Sequence, residues 1–285
     1  MLHFVVYADD TNVIFSHHCF PQLISTLQTE LDTLNTWFQS NKLIVNIDKS
    51  NFIYFHNQSK QIPINFQNIN LCMNNIPLKQ VQCTQFLGVY IDCNLNWNMH
   101  INTLCKRLSR SVGILNRLRN IVPTKILFTL YNTLFLSHVN YCNAVWGNTY
   151  QTKLQPILTL QKRAIRICTN SSFRAHSKPL FLSLNCLNIY QLNKFNILVF
   201  LYKFKMNLLP DAFQNMFILN NIIHNHNTRN KKKYHRWKID KVFMLHTLRH
   251  TGPLFWNSLP ESIINSTTLS AFRNKLKRYL LIEYN

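Results

Sequence analysis

Near Asn94 to Asn98 the hydrophobic pattern of this chain changes period, and that change limits the fold more than any one motif. Upstream, the apolar residues fall in short runs of strand character at 2–7, 13–15, 43–47, 51–55 and 86–92, the last with Gly88 in its middle. The first two runs flank the acidic tip Ala8-Asp9-Asp10-Thr11 and read as a β-hairpin. One helix interrupts this part. After Pro21, Leu23, Ile24, Leu27, Leu31, Leu34 and Trp37 recur at helical spacing, and Asn41 is the expected left-handed stop. Downstream, Ile101, Leu104, Leu108, Val112, Leu115 and Leu118 form one stripe, and Pro123 opens a second helix toward Cys142. Further helices are expected over 154–167, 189–209 and 269–281, with a polar, basic loop at 221–241. Strands first and helices afterwards make an α+β chain.

With 285 residues, 47% of them hydrophobic and 13% aromatic, the chain can bury a packed core, which excludes wholesale disorder. Its charge is lopsided. Against 10 Asp+Glu stand 31 Lys+Arg, a formal net charge of +21, and such a surface attracts polyanions. No membrane partner is expected: the longest uncharged stretch, 126–152, carries Asn132, His138, Asn140, Asn143 and Asn148. That is too polar for the roughly 20 apolar residues a spanning helix needs. Eight scattered cysteines, without a CxxC pair or a signal peptide, fit reduced thiols of the nucleus or cytoplasm, not a secreted disulfide scaffold.

Asp9 and Asp10 are the first candidates for chemistry. Two adjacent carboxylates at the tip of an apolar hairpin repel each other unless a cation neutralises them, and hard divalent ions such as Mg²⁺ take one or two such groups plus substrate phosphates. From spacing alone the pair serves equally as a solvated Asx turn. The surrounding residues carry a resemblance. Tyr7-Ala8-Asp9-Asp10, after four apolar or aromatic residues, resembles the YADD box of the reverse-transcriptase palm. Leu34-Asn35-Thr36-Trp37-Phe38 with Asn41-Lys42-Leu43-Ile44-Val45-Asn46 and Lys49 is similar to the helix-and-lysine motif that follows that box. Phe86-Leu87-Gly88-Val89-Tyr90-Ile91-Asp92 is similar to the primer-grip hairpin, and Leu95 to Ile101 to its exit into the thumb. Tyr141 with Trp146-Gly147, Leu160 to Arg166, Thr228-Arg229 and Gly252 to Pro260 resemble the C-terminal region of non-LTR, jockey-like (LINE-type) retrotransposon polymerases.

The resemblance implies a partial palm over 1–97, a helical thumb over 98–170 and a basic, mostly helical C-terminal region over 171–285, acting on an RNA template and a DNA primer. Asp9 would ligate catalytic Mg²⁺, with Asp10 as the supporting carboxylate, and Lys49 would assist the leaving group. Tyr7, Ala8, Phe86, Leu87 and Gly88 would hold the primer end. Lys106, Arg107, Arg110 and Arg117, with Lys162, Arg163 and Arg166, would grip duplex phosphates. The sequence begins a few residues before the YADD box, so the expectation is a fragment without the fingers and the earlier Asp-bearing strand, inactive as an enzyme by itself. The alternative is a non-enzymatic, basic nucleic-acid-binding protein.

Other residues have plainer readings. His246 and His250 have helical ligand spacing, and His224 and His226 lie near, but no cysteine pair completes a zinc set. Phe255 and Trp256 read as core anchors. Lys231 to Lys233 serve as a nuclear import signal, a phosphate contact or a solvated loop.

Overall fold

The computed structural model describes residues 2–56, 69–223, 230–239 and 242–283, and the chain divides into two compact units, 1–96 and 97–285. In the first, β1 (Leu2–Tyr7) runs antiparallel to β2 (Asp10–Phe15), from Leu2 opposite Phe15 to Tyr7 opposite Asp10. The turn is only Ala8 and Asp9, tighter than the four-residue tip read from sequence. The helix after Pro21 forms as α1 (Phe20–Ser40), but Asn41 is not left-handed (φ −91°); Lys42, at φ 57°, takes that conformation. Residues 43–46 do not make a strand. The Asn46 side chain accepts the Lys49 amide at 3.2 Å and winds Ile47–Lys49 into a 3₁₀ turn, a local bond that competes with extended pairing.

Very short ladders complete this unit. β3 (Asn51–Phe52) pairs in parallel with β6 (Lys79–Gln80), and β4 (Cys72–Met73) pairs antiparallel with β5 (Ile76–Pro77) across Asn74 and Asn75, both left-handed. Gln28 of α1 exchanges two 2.9 Å hydrogen bonds with the Cys72 backbone, its amide acting as one more rung on β4. The run 86–92 is not one strand: β7 (Cys83–Phe86) folds back on β8 (Val89–Asp92) at Leu87-Gly88, because Gly88 accepts φ 80° without strain. Among the described residues of this unit the buried hydrophobics are Leu71, Met73, Val89 and Cys93, with none on α1.

The second unit is helical. Its elements are α2 (Asn98–Leu118), α3 (Thr124–Tyr131), a π turn over Asn132–Leu136, α4 (Ser137–Asn140), α5 (Asn143–Trp146), α6 (Gln151–Cys168) and α7 (Ser177–Ser183). α8 (Ile189–Lys205), α9 (Asn220–Ile223), α10 (Leu248–Asn257), α11 (Glu261–Ile264) and α12 (Leu269–Glu283) follow. α7 and α10 escape a sequence reading: α7 is short, and Gly252 with Pro253 inside α10 reads as a breaker. The stripe from Ile101 to Leu115 packs α2 against α6. One continuous core then runs from Leu108 and Tyr131 through Trp146 and Ile165 to Trp256 and Phe272. The helices assigned to thumb and C-terminal region thus share one interior.

Gln161, fully buried on α6, ties three elements together. Its Nε2 donates to the Tyr131 hydroxyl (2.9 Å) and the Leu187 carbonyl (3.0 Å), and its Oε1 accepts the Ile189 amide (2.9 Å) that starts α8. Gln161→Leu keeps the volume but orphans the buried Ile189 N–H and leaves the Leu187 carbonyl only the weak Cys186 thiol as donor. The expected loss is about 3 kcal/mol, read as a melting temperature lower by roughly 6–12 °C; an unchanged melt would contradict this assignment.

Candidate nucleic-acid interface

The acidic hairpin stands out into solvent. Asp9 and Asp10 are exposed, and so are Phe4, Val6, Tyr7 and Ile14, each more than half. Ala8 adopts φ 50°, which costs an L-residue about 1 kcal/mol. Lys49 is exposed on its 3₁₀ turn, with no ion pair to either aspartate. At the second hairpin Phe86 is half-buried and Leu87, at φ 45°, is 36% exposed beside Gly88. Asp92, which closes β8, is buried, and its Oδ1 accepts the amides of Asn94 (3.2 Å) and Asn96 (3.0 Å). That carboxylate caps the turn out of β8.

Does this donor set fit Mg²⁺? Two neighbouring carboxylates are the right hard-oxygen chemistry. Among the described residues, however, no group of three His, Cys, Asp or Glu side chains comes together, and Asp92 is spent on backbone amides. The residues at the tip therefore fall short of the donor set that a two-ion phosphoryl-transfer site requires.

On α2, Lys106, Arg107, Arg110 and Arg117 are all exposed, outside the buried stripe. On α6, Arg163 is exposed while Lys162 and Arg166 are half-buried. The Arg166 Nε donates to the Ala175 carbonyl (2.8 Å), so part of this guanidinium secures the loop after α6. Arg119 grips the same loop through Asn170 and Ser171. Sequence reasoning had no signal for these clasps, since a loop-holding arginine and a solvent-facing one look alike in a linear pattern.

The motifs of the helical unit are chiefly packing devices. Trp146 is fully buried and donates to the Tyr141 carbonyl (2.7 Å). A Cβ at Gly147 would lie 2.6 Å from the Asn143 carbonyl oxygen and 2.8 Å from Asn193, which itself donates to that carbonyl. Trp256 is buried, as read, and Phe255 is half-buried. His246 and His250 gather no third ligand among the described residues, and His224, His226, Thr228 and Arg229 lie outside them. All eight cysteines are free thiols, and no described helix is long and apolar enough to cross a membrane.

Comparison with known proteins finds similarity to polymerases of mobile elements. It is 23% identical over 163 residues to the RNA-directed DNA polymerase from mobile element jockey of Drosophila melanogaster, covering 56% of this chain and 17% of that protein. It is 20% identical over 194 residues to the probable RNA-directed DNA polymerase from transposon X-element of the same organism, covering 66% of this chain and 20% of that protein. No family model matches, and no solved structure matches. The chain is thus similar to part of two RNA-directed DNA polymerases of mobile elements, and it spans about a fifth of the length of the curated relatives it matches.

Two outcomes follow from this geometry. Leu87→Asn creates the Asn-Gly pair that a left-handed two-residue turn favours, and should stabilise the second hairpin by about 1 kcal/mol. Slower amide exchange across residues 83–92 is the readout, and unchanged exchange would count against strain at Leu87. Burial holds the pKa values of His100, His246 and His250 below the usual 6.5, with Arg107 adding to the effect at His100, Lys153 at His246 and Arg236 at His250. As pH falls below 6.5 the unfolded chain takes up these protons first, so stability present above that value is lost. The melting temperature should drop from about pH 7.5 to about pH 5.5, and His100→Gln should shrink the drop.

Proposed function

We propose that this chain serves RNA-directed DNA synthesis by a jockey-like mobile element, as a part that holds template–primer duplex. The observation that carries the reading is the set of exposed cations Lys106, Arg107, Arg110 and Arg117 on α2, with Arg163 exposed on α6, on a chain of net charge +21, taken with its similarity to two mobile-element polymerases. Lys106, Arg107, Arg110, Arg117, Lys162 and Arg163 are the phosphate contacts in this reading, with a smaller share for Arg166. Phosphate contacts of this kind position a duplex without reading its sequence. The exposed apolar side of the YADD hairpin and Leu87 at the tip of the second hairpin are then surfaces for the primer end.

Residues 1–97 act in this reading as part of a palm, 98–170 as a thumb and 171–285 as its basic extension. With two carboxylates at the acidic tip and no third donor among the described residues, we infer that the chain binds a template–primer but does not extend it unaided. The same cations support a second reading, a nucleic-acid-binding protein without catalysis, and the extension assay weighs the two against polymerase activity.

Affinity for an RNA–DNA duplex should fall with salt by about 0.9 log unit per log unit of salt for each phosphate neutralised. Lys106→Gln, Arg110→Gln and Arg117→Gln combined should flatten that slope by about 2.7. Salt-independent binding, or a slope the triple variant leaves alone, would remove the duplex reading. Primer extension by the unaltered chain with Mg²⁺, abolished by Asp9→Ala, would overturn the inference of inactivity.

A further inference from the structure

The basic stretch around Lys231 does not behave as a loose loop. Tyr234 at its centre is buried, with its ring 5.8 Å from that of Phe217 and 6.0 Å from those of Phe204 and Trp256. Asn257 of α10 exchanges two hydrogen bonds with the Tyr234 backbone, accepting its amide (3.0 Å) and donating to its carbonyl (2.9 Å). Leu219 forms a β-bridge to Tyr234, and the amides of Asn220 and Asn221 donate to the carbonyls of Lys233 and Lys231. The amide of His235 donates to Ile218, and its ring meets the Asn220 side chain at 3.0 Å. Residues 230–236 are thus a strap pinned to the helical core at both backbone edges.

What the strap presents is specific. Lys231, Lys232, Lys233, Arg236 and Lys238 are all exposed, five cations within eight residues, and fixing like charges side by side is unfavourable unless an anion offsets them. Among them Trp237 is 55% exposed, held by a T-shaped ring contact to His235 at 4.7 Å. Beside the strap lies an open groove of about 760 Å³ with Lys231, Lys233, Arg236 and His235 on its wall and the polar side chains of Asn220 and Ser258 among the rest of its lining. Polyanions with unpaired bases need this pairing of features: cations at successive backbone phosphates and an accessible aromatic face on which a base stacks. A duplex keeps its bases stacked inside and has no use for the indole.

We propose that the strap is a binding site for single-stranded polynucleotide, with Lys231, Lys233 and Arg236 on successive phosphates and Trp237 stacking on a base. The site is separate from the α2 and α6 cations and does not depend on the duplex reading above. It turns a stretch that charge alone describes as solvated into a second handle on nucleic acid, one for unpaired strand.

The test uses the full chain and fluorescent oligo(U) and oligo(dT) of about 12 nucleotides, within the range of single-strand sites. Lys231→Gln, Lys233→Gln and Arg236→Gln combined should flatten the salt dependence by about 2 log units per log unit, at roughly 0.7 per phosphate. Trp237→Ala should weaken binding roughly 5- to 100-fold without changing that slope. All four side chains are exposed, and circular dichroism checks that the variants fold. The α2 triple variant should leave single-strand affinity intact while it weakens duplex binding, so the two sites fail separately. Equal affinity for the two oligomers limits the site to phosphate and base chemistry, and tighter RNA binding adds a ribose hydroxyl contact; either supports the proposal. Single-strand affinity and slope unchanged in both strap variants would overturn it, as would a duplex that displaces the oligomer from the strap at equal concentration.

Discussion

The helical unit depends on one constraint: an amphipathic helix has a single face that can enter a low-dielectric core, and a guanidinium cannot follow it there. α2 buries Ile101, Leu104, Leu108, Val112 and Leu115, and the helical repeat sends Lys106, Arg110 and Arg117 to the opposite side and Arg107 to the exposed flank. Charging a buried arginine without a partner costs several kcal/mol, so packing and cationic display are one event on this helix. With 31 basic against 10 acidic residues there are too few carboxylates to neutralise that display, and an external polyanion is the physical complement it lacks.

Polar side chains decide the internal geometry where apolar packing leaves it open. Gln161, Asn257 and Asn193 each sit beneath a backbone segment and satisfy its amides or carbonyls, fixing respectively the start of α8, the strap at Tyr234 and the tight passage at Gly147. Each belongs to, or touches, a stretch that resembles retrotransposon polymerases. Those stretches carry the resemblance in one dimension, and in three dimensions Trp146, Gln161, Arg166 and Asn257 within them act as hydrogen-bonded joints.

The first unit is built differently. Among its described residues the ladders are two to six residues long and only a handful of hydrophobics are buried, so local turn chemistry carries much of their order. Ala8 and Leu87 both occupy left-handed backbone that glycine or asparagine would take with less strain. Both residues fall at the tips of two-residue hairpin turns, where the tight reversal imposes that conformation.

Periodicity and breakers made much of this legible. The YADD hairpin, the helix after Pro21, the α2 stripe, α6, α8 and α12 follow from apolar spacing, and Trp256 as a core anchor follows from its size and setting. The strand expected at 43–47 gave way to an Asn46 side-chain bond, and 86–92 folded into a hairpin because a two-residue turn fits inside a run that looks continuous. α10 was hidden by Gly252 and Pro253, and Gly252 is fitted to its place because a Cβ there would lie 2.8 Å from Leu201 and 3.1 Å from Phe217. Local pattern by itself determined which faces are apolar, where charge collects and where the two acids stand. Local side-chain bonds that apolar spacing does not show decided that Asp92 caps a turn and that Arg166 holds a loop, since Asp92 reaches to Asn94 and Asn96 and Arg166 to Ala175. Tertiary structure alone decided that Lys231 to Lys238 ride on a strap anchored by Tyr234, because Phe204, Leu219 and Asn257 come to it only when the core closes, and no spacing rule along the chain encodes that.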